Sequence, residues 1–320
     1  MIIVDFEKKH IDEARAVALS NYNEERRLVK ELPEINDLPD MTMLAENGLG
    51  VAAFENGKMT GFLCCFSPWD NAFGTAARGT FSPLHAHGAA AENRVRVYRS
   101  MYKAAAENWV KAHITYHAVS LYAHDEKALQ AFFLYGFGVR CSDAIRHTEG
   151  VACGAPDNIS FRRISAGEAP SVREMRRMLS EHLGDSPCFM YSDESEFRSW
   201  LENAEKRGSV IYTAQAVAAG SSPVAFIEVT DSGENFVTDT ACMKNICGAF
   251  CLPEYRGTGV FVALLGFVLN SLRNEGAELL GVDYESFNPN ALGAWEKYFT
   301  PYTRSVVRRI DEGVLRKYPL

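Results

Sequence analysis

The hydrophobic pattern of the first half of the chain predicts strands and helices in a defined order. Apolar residues alternate on both sides of Glu55-Asn56-Gly57, which predicts a β-hairpin because Asn-Gly favours a tight turn. Residues 92–113 carry apolar residues at helical spacing and predict a long helix. The predicted elements are a strand and a helix within residues 1–29, the hairpin, a helix at 92–113, a strand at 117–124, a helix at 125–135 and a strand at 136–146.

The second half repeats this order after a polar stretch rich in small residues at 146–158. The predicted elements are a strand at 159–165, a helix at 169–183, hairpin strands at 209–217 and 222–230, a strand at 245–252, a helix at 260–275, a strand at 277–286, a helix at 290–298 and a strand at 304–311. The endings "ALQAFFLYGFGVRCSDAIR" and "ALGAWEKYFTPYTRSVVRRI" are also alike. We therefore expect two copies of one α+β fold, with domains at 1–148 and 159–320 and a linker at 149–158.

Composition narrows the class of protein. Of the 320 residues 47% are hydrophobic and 23% charged, and the net charge is −8, so we expect neither a nucleic-acid partner nor an anionic membrane. The four-residue apolar start is too short for a signal peptide, and the longest apolar run, 260–269, is too short to span a bilayer. The eight cysteines form no C-x-x-C pair, which favours reduced thiols and a cytoplasmic location. The oligomeric state is either a monomer or a homodimer.

The stretch "CLPEYRGTGVFVALL" (residues 251–265) carries the main chemical signal. Gly257 and Gly259 lie between a predicted strand and a predicted helix, where glycine lets the backbone turn tightly. A helix N-terminus offers unpaired N–H donors and a partial positive charge, and Arg256 adds a full one. The pattern predicts a phosphate or pyrophosphate site, although a plain strand-to-helix loop is the alternative. It is neither a Walker A loop nor a Rossmann turn, because the required lysine and third glycine are missing.

These residues resemble a known family. "AFCLPEYRGTGVFVALL" is similar to the acyl-CoA-binding motif of the GNAT (Gcn5-related) N-acetyltransferases, and "VDYESFNPNALGAWEKYF" resembles the next motif of that family. The two motifs cover about residues 245–310. The resemblance implies two tandem GNAT-like domains of α+β (three-layer) type, each with a mixed, mostly antiparallel sheet flanked by helices.

The resemblance also implies how acetyl-CoA would bind as the acyl donor. The pyrophosphate would lie on the amides from Gly257 to Phe261, and the pantetheine arm along the strand end. Asn288 and the helix after it would flank the thioester. The implied cofactor-binding residues are Phe250, Cys251, Leu252, Arg256, Gly257, Thr258, Gly259, Val260, Phe261, Asn288, Ala291 and Trp295.

Two positions depart from the family pattern. Phe261 stands where the family has Gly or Ala, and Trp295 stands where it has a tyrosine that protonates the leaving thiolate. An indole N–H donates a hydrogen bond but is no proton source near neutral pH. Tyr298 lies one turn further on nearly the same helix face, so it can substitute or can simply pack. Solvent is the other proton source.

Several carboxylates are candidates for the general base. The candidates are Glu228, Asp283, Glu285 and Glu254. Asp283 and Glu285 share one strand face, which suits a cationic amine beside a thioester, but an ordinary solvated strand face has the same pattern.

The first half lacks the glycine motif and is expected to be a degenerate copy that has lost coenzyme A binding. Pro83 is present at the motif's proline, but no Arg-x-x-Gly-x-Gly follows it. His85 and His87 have no nearby ligand residues, so no metal is predicted. We therefore expect an N-acetyltransferase that acts on an unidentified primary amine. A non-catalytic acyl-CoA binder or sensor is the alternative, and a nucleotide-binding protein is a third hypothesis.

Overall fold

The computed structural model describes the chain except for residues 152, 153, 155, 192, 193, 204, 205, 207, 218–221, 232, 319 and 320. Its described part forms two compact units: unit 1 consists of Met1–Ser142, Asn235–Val237 and Pro301–Leu320, and unit 2 of Asp143–Glu234 and Thr238–Thr300. Residues 301–320 therefore group with unit 1, whereas the sequence placed them in the second domain. The domain boundaries stay a prediction, and the linker at 149–158 lies partly outside the described residues.

Unit 1 contains two sheets with helices packed on them. Its helices are α1 (Ile11–Leu28), α2 (Thr42–Glu46), α3 (Arg94–Lys111) and α4 (Glu126–Phe133). Its strands are β1 (Ile2–Asp5), β2 (Val51–Glu55), β3 (Lys58–Leu63), β4 (Gly79–Ser82), β5 (His87–Ala89), β6 (Tyr116–Tyr122), the first part of β7 (Gly138–His147), and β14 (Thr303–Arg309). One sheet has the order β1-β2-β3-β5, and the other has the order β4-β6-β14-β7.

Local sequence explains most of unit 1. The predicted hairpin is confirmed, because β2 and β3 pair antiparallel and both Asn56 and Gly57 have positive φ. Helix α3 buries Val97, Met101 and Ala105, which are spaced by four residues and lie on one helix face. Strand β14 pairs antiparallel with β6 along its whole length, and this pairing places the end of the chain in unit 1. The sequence did not predict β4 and β5, which are short and lie in a stretch without clear alternation.

Unit 2 has three layers, with one sheet between two groups of helices. Its helices are α5 (Arg173–Gly184), α6 (Glu194–Glu202), α7 (Val260–Asn274) and α8 (Pro289–Trp295). Its strands are β8 (Ile159–Ile164), β9 (Val210–Ala216), β10 (Ser222–Thr230), β11 (Met243–Cys251), β12 (Leu279–Glu285) and the second part of β7; β13 (Thr300–Pro301) also pairs with β7. The order is β8-β9-β10-β11-β12-β7, antiparallel from β8 to β11 and parallel between β11 and β12.

Apolar residues cover both faces of this sheet. Helix α7 packs Leu264, Leu265 and Val268 on one face, where they are fully buried. Phe197 and Trp200 of α6 pack on the other face. Helix α5 begins at 173 rather than 169 because a 3-10 turn precedes it, and α8 ends at 295 rather than 298.

Membrane-spanning helices and disulfides were sought among the described residues. No helix among them is long and apolar enough to cross a membrane. None of the seven described cysteines forms a disulfide, and Cys153 lies outside the described residues.

Candidate functional site

Strands β11 and β12 begin as a parallel pair and then separate. Their ladder has four residue pairs and ends at Ile246↔Val282, whereas β11 continues to Cys251 and β12 to Glu285. A cleft of about 930 Å³ opens beyond this pair and is lined by both strand ends. A strand edge that lacks a neighbour offers its backbone N–H and C=O groups to a ligand.

A β-bulge accompanies the separation. On the other edge of β11, Glu228 pairs with Gly248 and Val229 pairs with Ile246, so Cys247 is an extra residue. A bulge bends its strand and increases the local twist. The bend lies one residue beyond the last β11–β12 pair, and it therefore accounts for the opening of the cleft.

The register of β11 determines which backbone groups face the cleft. The N–H of Leu252 donates to the carbonyl of Val224 on β10 at 2.9 Å. Since hydrogen bonds of an antiparallel pair alternate, Phe250 also bonds to β10, and Ala249 and Cys251 point their backbone groups the other way. By this register the cleft edge of β11 consists of Ala249 and Cys251, and the roles of Phe250, Cys251 and Leu252 in holding the pantetheine stay a prediction.

The glycine turn has the backbone that its sequence predicted. Gly257 and Gly259 have φ values of 75° and 87°, a conformation that favours glycine. Gly259 is the N-cap of α7, and the helical ladder begins with the bond from the N–H of Ala263 to the carbonyl of Gly259. The amides of the first turn precede that ladder, and this turn contains no acidic residue. The hydroxyl of Thr258 donates to the carbonyl of Tyr255 at 2.7 Å and so braces the turn.

Arg256 places a positive charge beside the turn. Its Nε donates to the carbonyl of Cys251 at 3.0 Å, and its guanidinium lies 5.3 Å from the ring centroid of Phe250. Burial raises the pKa of Cys251 to about 11, so this thiol stays protonated at neutral pH. Arg256 therefore connects the strand end to the turn, and Cys251 is not a thiolate nucleophile.

The two departures from the family pattern contact each other. Phe261 and Trp295 pack edge to face, with ring centroids 5.6 Å apart, and Trp295 packs in the same way on Phe299 at 5.4 Å. Trp295 is buried, and both Phe261 and Trp295 line the cleft. The bulky residue on α7 and the indole on α8 thus form one aromatic wall.

Asn288 begins α8 at the edge of the cleft. Its side-chain oxygen accepts hydrogen bonds from the amides of Asn290 (3.1 Å) and Ala291 (3.4 Å), so it is the N-cap of this helix. It is buried, and it lines the cleft together with Ala291. A structural role is therefore established for the oxygen of Asn288.

Asp283 is a carboxyl group of the cleft with a raised pKa. It is half-buried on β12, next to the last β11–β12 pair. Burial raises its pKa to about 8, and the nearby carboxylates of Glu234, Asp143 and Glu285 contribute to the rise. Asp283 and Glu285 both line the cleft, which favours a pair of carboxyl groups beside a ligand over an ordinary solvated strand face.

Glu228 lies beneath the cleft and does not line it. It is fully buried, and its Oε2 accepts a hydrogen bond from the indole N–H of Trp200 at 3.0 Å. The guanidinium of Arg176 lies 5.1 Å from the Trp200 ring centroid. Gly248 leaves room for this group, because a Cβ there would lie 2.3 Å from Nη1 of Arg176. Glu254 is exposed in the turn and also lies outside the lining.

The structure brings most of the predicted residues together. Those that line the cleft are Phe250, Cys251, Arg256, Gly257, Gly259, Phe261, Asn288, Ala291, Trp295, Tyr298, Asp283 and Glu285. The side chains of Leu252, Thr258 and Val260 do not line it. The sequence missed the residues contributed by α5, α6 and the segment between them: Arg176, His182, Met190, Phe197 and Trp200. Their helical spacing predicts that they pack on a sheet, but it does not indicate that they lie beside the cleft between β11 and β12.

The corresponding gap in unit 1 is filled by a side chain. Strands β5 and β6 belong to different sheets, and the ring of His87 bridges them. Its Nε2 is 2.6 Å from the carbonyl oxygen of Ser120, and its Nδ1 is 3.0 Å from the hydroxyl of Tyr98. Burial lowers the pKa of His87 to about 4, so the ring is neutral. This filled gap favours the prediction that unit 1 has lost coenzyme A binding.

Comparison with known proteins identifies the fold. No family model and no curated protein matches the sequence. A GCN5-related N-acetyltransferase from Sphaerobacter thermophilus is similar in structure at a TM-score of 0.57 and 12% identity, over 96% of this chain and 95% of that one. A GCN5-related glucosamine N-acetyltransferase region of a fungal multi-domain GH3 β-N-acetylglucosaminidase is similar at a TM-score of 0.53 and 12% identity, over 96% of this chain and 38% of that one. The chain therefore has the α+β fold of the GNAT acetyltransferases.

Proposed function

We propose that the cleft of unit 2 binds an acyl-coenzyme A, with acetyl-CoA as the first candidate, and transfers its acyl group to a primary amine. The observation that carries this proposal is the separation of β11 from β12, with the amides of the α7 N-terminus at the open end. By the register of the ladder, Asp283 lies at the closed end, level with Cys247. The fold supports acyl transfer in general, and the geometry of this cleft supports the proposed site.

The donor fits the cleft in one direction. Its pyrophosphate accepts hydrogen bonds from the amides of the glycine turn and the first turn of α7, beside the charge of Arg256. Its pantetheine arm then follows the open edge of β11, where Ala249 presents its backbone groups and Cys251 its N–H, since the carbonyl of Cys251 accepts from Arg256. The thioester arrives near the bulge, between Cys247 and Asp283.

The chemistry is a direct displacement. The nitrogen of a neutral amine forms a bond to the thioester carbonyl carbon while the C–S bond breaks, and coenzyme A leaves as the thiolate. The amine loses one proton to the carboxylate of Asp283, directly or through water, and the thiolate takes one from Tyr298 or from solvent. Positioning of both reactants and acceptance of the amine proton are the contributions of the protein.

Trp295 motivates the second candidate function, a non-catalytic acyl-CoA binder. An indole cannot replace the phenol as a proton donor. This candidate predicts tight binding of acetyl-CoA without turnover on any amine. Steady release of free coenzyme A with one amine of a panel would exclude it.

Val262 offers the sharpest test of the donor site. It is half-buried in the first turn of α7 and lines the cleft. In Val262→Glu the new carboxylate favours the helix N-terminus, so the fold is retained, but it repels the pyrophosphate. The matched control Val262→Gln has the same length and no charge. Gly259→Asp is less suitable, because a φ of 87° strains any other residue.

The experiment measures acetyl-CoA binding by calorimetry and turnover by chromatography of free coenzyme A, since the eight cysteine thiols would disturb a thiol reagent. The amine panel includes glucosamine, the acceptor named for one structural neighbour. We expect Val262→Glu to weaken binding by at least about tenfold, or about 1.4 kcal/mol, and Val262→Gln to weaken it far less. Equal affinity of both variants and the unchanged protein would refute the site.

A further inference from the structure

A groove between α3 and α4 of unit 1 has an unusual charge distribution. Its volume is about 530 Å³. Five basic residues line it, and none of its described lining residues is acidic. The basic residues are Arg94, Arg96, Arg99, Lys103 and Lys127. This concentration of positive charge contrasts with the net charge of −8 of the whole chain.

Part of this charge is neutralised within the protein. Arg94 is buried and forms ion pairs with Glu24 at 2.7 Å and Asp125 at 2.9 Å. Arg96 is exposed, and its Nη2 lies 3.5 Å from a carboxylate oxygen of Glu55. Arg94 therefore contributes little net charge to the groove, whereas the single exposed contact of Arg96 is weak and leaves its charge accessible to a ligand.

The remaining basic side chains are exposed and face solvent. The described residues place no carboxylate within ion-pair distance of Arg99 or Lys103. Glu107, four residues after Lys103 on α3, pairs with Lys111 at 2.8 Å. Lys127 of α4 contacts only the carbonyl of Ala91 through its Nζ, at 3.4 Å, among the described residues.

Tyr135 holds one of these cations in place. The Arg99 guanidinium lies 5.6 Å from the ring centroid of Tyr135, and the hydroxyl of Tyr135 donates to the carbonyl of Arg99 at 3.1 Å. A cation held over an aromatic ring is partly preorganised for an anion. The groove therefore has one cation held over an aromatic ring, Arg99, beside the exposed Lys103 and Lys127.

The spacing of the cations indicates the size of the ligand. Arg96, Arg99 and Lys103 are at positions i, i+3 and i+7 of α3 and lie on one face, over about 10 Å of helix. Lys127 faces them from α4. One phosphate does not span such a row, but a chain of two or three does. We propose that this groove binds a small polyanion with at least two linked phosphates, such as a nucleoside diphosphate or triphosphate.

The test uses inorganic pyrophosphate and ATP with the full chain, by calorimetry at low salt. The double variant Arg99→Gln/Lys103→Gln removes two of the three groove cations that lack ion pairs among the described residues. The control Arg27→Gln/Lys30→Gln removes equal charge from exposed residues of unit 1 outside the groove. A further variant, Val262→Glu, is designed to remove phosphate binding at the unit 2 cleft. Any binding that it retains is then assigned to the groove of unit 1.

We expect both probes to bind the unchanged protein, the control and the Val262→Glu protein alike, and to bind the groove variant at least about tenfold more weakly. Binding should also decline as salt is added. Loss of binding in Val262→Glu with retention in the groove variant would overturn the proposal, as would no binding at millimolar concentration. Preferential binding of an RNA oligonucleotide over ATP would also contradict it, since it would identify a different class of ligand.

Discussion

Asp283 provides a test of the electrostatics of the cleft that needs no knowledge of the acceptor amine. Its pKa is raised from its ordinary value of 3.8 to about 8, mainly by burial. Asn is nearly isosteric with Asp and carries no charge at any pH. The variant Asp283→Asn therefore removes the titration of this group and leaves its volume in the cleft unchanged.

The sign of the effect follows from the raised pKa. Between its ordinary value and about pH 8 the folded protein holds a proton on Asp283 that the unfolded chain has lost, so stability falls as the pH rises through this window. From about pH 6 to about pH 9 the shift from 3.8 to about 8 corresponds to a loss of about 3 kcal/mol. Relative to Asp283→Asn, the unchanged protein should lose this amount of unfolding free energy.

The assay is hydrogen exchange of the β12 peptide, which reports the opening of unit 2. Both proteins are compared at the same pH, so the intrinsic exchange rate cancels. The control is Asp231→Asn, since Asp231 is 84% exposed in the same unit. A difference between unchanged protein and Asp283→Asn that stays constant from pH 6 to pH 9 would refute the raised pKa, and with it the assignment of Asp283 as proton acceptor.

Two further predictions concern the buried histidines of unit 1 and the acceptor end of the cleft. Burial lowers the pKa values of His85, His87 and His117 to about 4, whereas the unfolded chain titrates near 6.5. The stability of unit 1 should thus be full above about pH 6.5 and fall by about 2 kcal/mol per histidine from pH 7 to pH 5. Urea unfolding at these pH values checks this, and a flat profile would contradict it. In Gly248→Ala the new Cβ meets the flexible tip of Arg176, so stability should change by less than about 1 kcal/mol. The displaced guanidinium leaves Trp200, so the KM for the amine should change while acetyl-CoA affinity stays the same. An altered acetyl-CoA affinity would be evidence against this separation of the two ends.

Elements with strong local signals could be predicted from the sequence. The hairpin at Asn56-Gly57 and the turn at Gly257 and Gly259 depend on residues that adopt positive φ, and neighbours in the chain determine such turns. Strands β4 and β5 and helix α6 were missed, because short or weakly periodic segments are determined by tertiary packing.

Contacts between distant parts of the chain could not be predicted. Strand β14 pairs with β6, about half the chain away from it, and nothing in its own alternation indicates that partner. The same applies to the pKa of Asp283, which depends on Glu234 and Asp143 as well as on burial. The motifs identified the candidate residues. The pKa of Asp283 and the direction in which the backbone groups of β11 point could be determined only from the folded structure.

The contact between Phe261 and Trp295 changes how the missing tyrosine bears on the proposed function. The buried indole of Trp295 on α8 packs against the bulky Phe261 on α7. The tyrosine and the small residue of the family pattern are therefore replaced together, by two side chains that contact each other. A free thiol has a pKa of about 8.5, so a thiolate leaves near neutral pH with little need of a proton donor. An alkyl ammonium with a pKa near ~10 must lose its proton before it attacks, and this is the more demanding step. In the proposed mechanism the ammonium proton goes to solvent, and Asp283, whose pKa is raised to about 8, accepts the proton that the attacking amine then loses. Protonation of the leaving thiolate, which the tyrosine performs in the family pattern, is thus less necessary than removal of a proton from the amine.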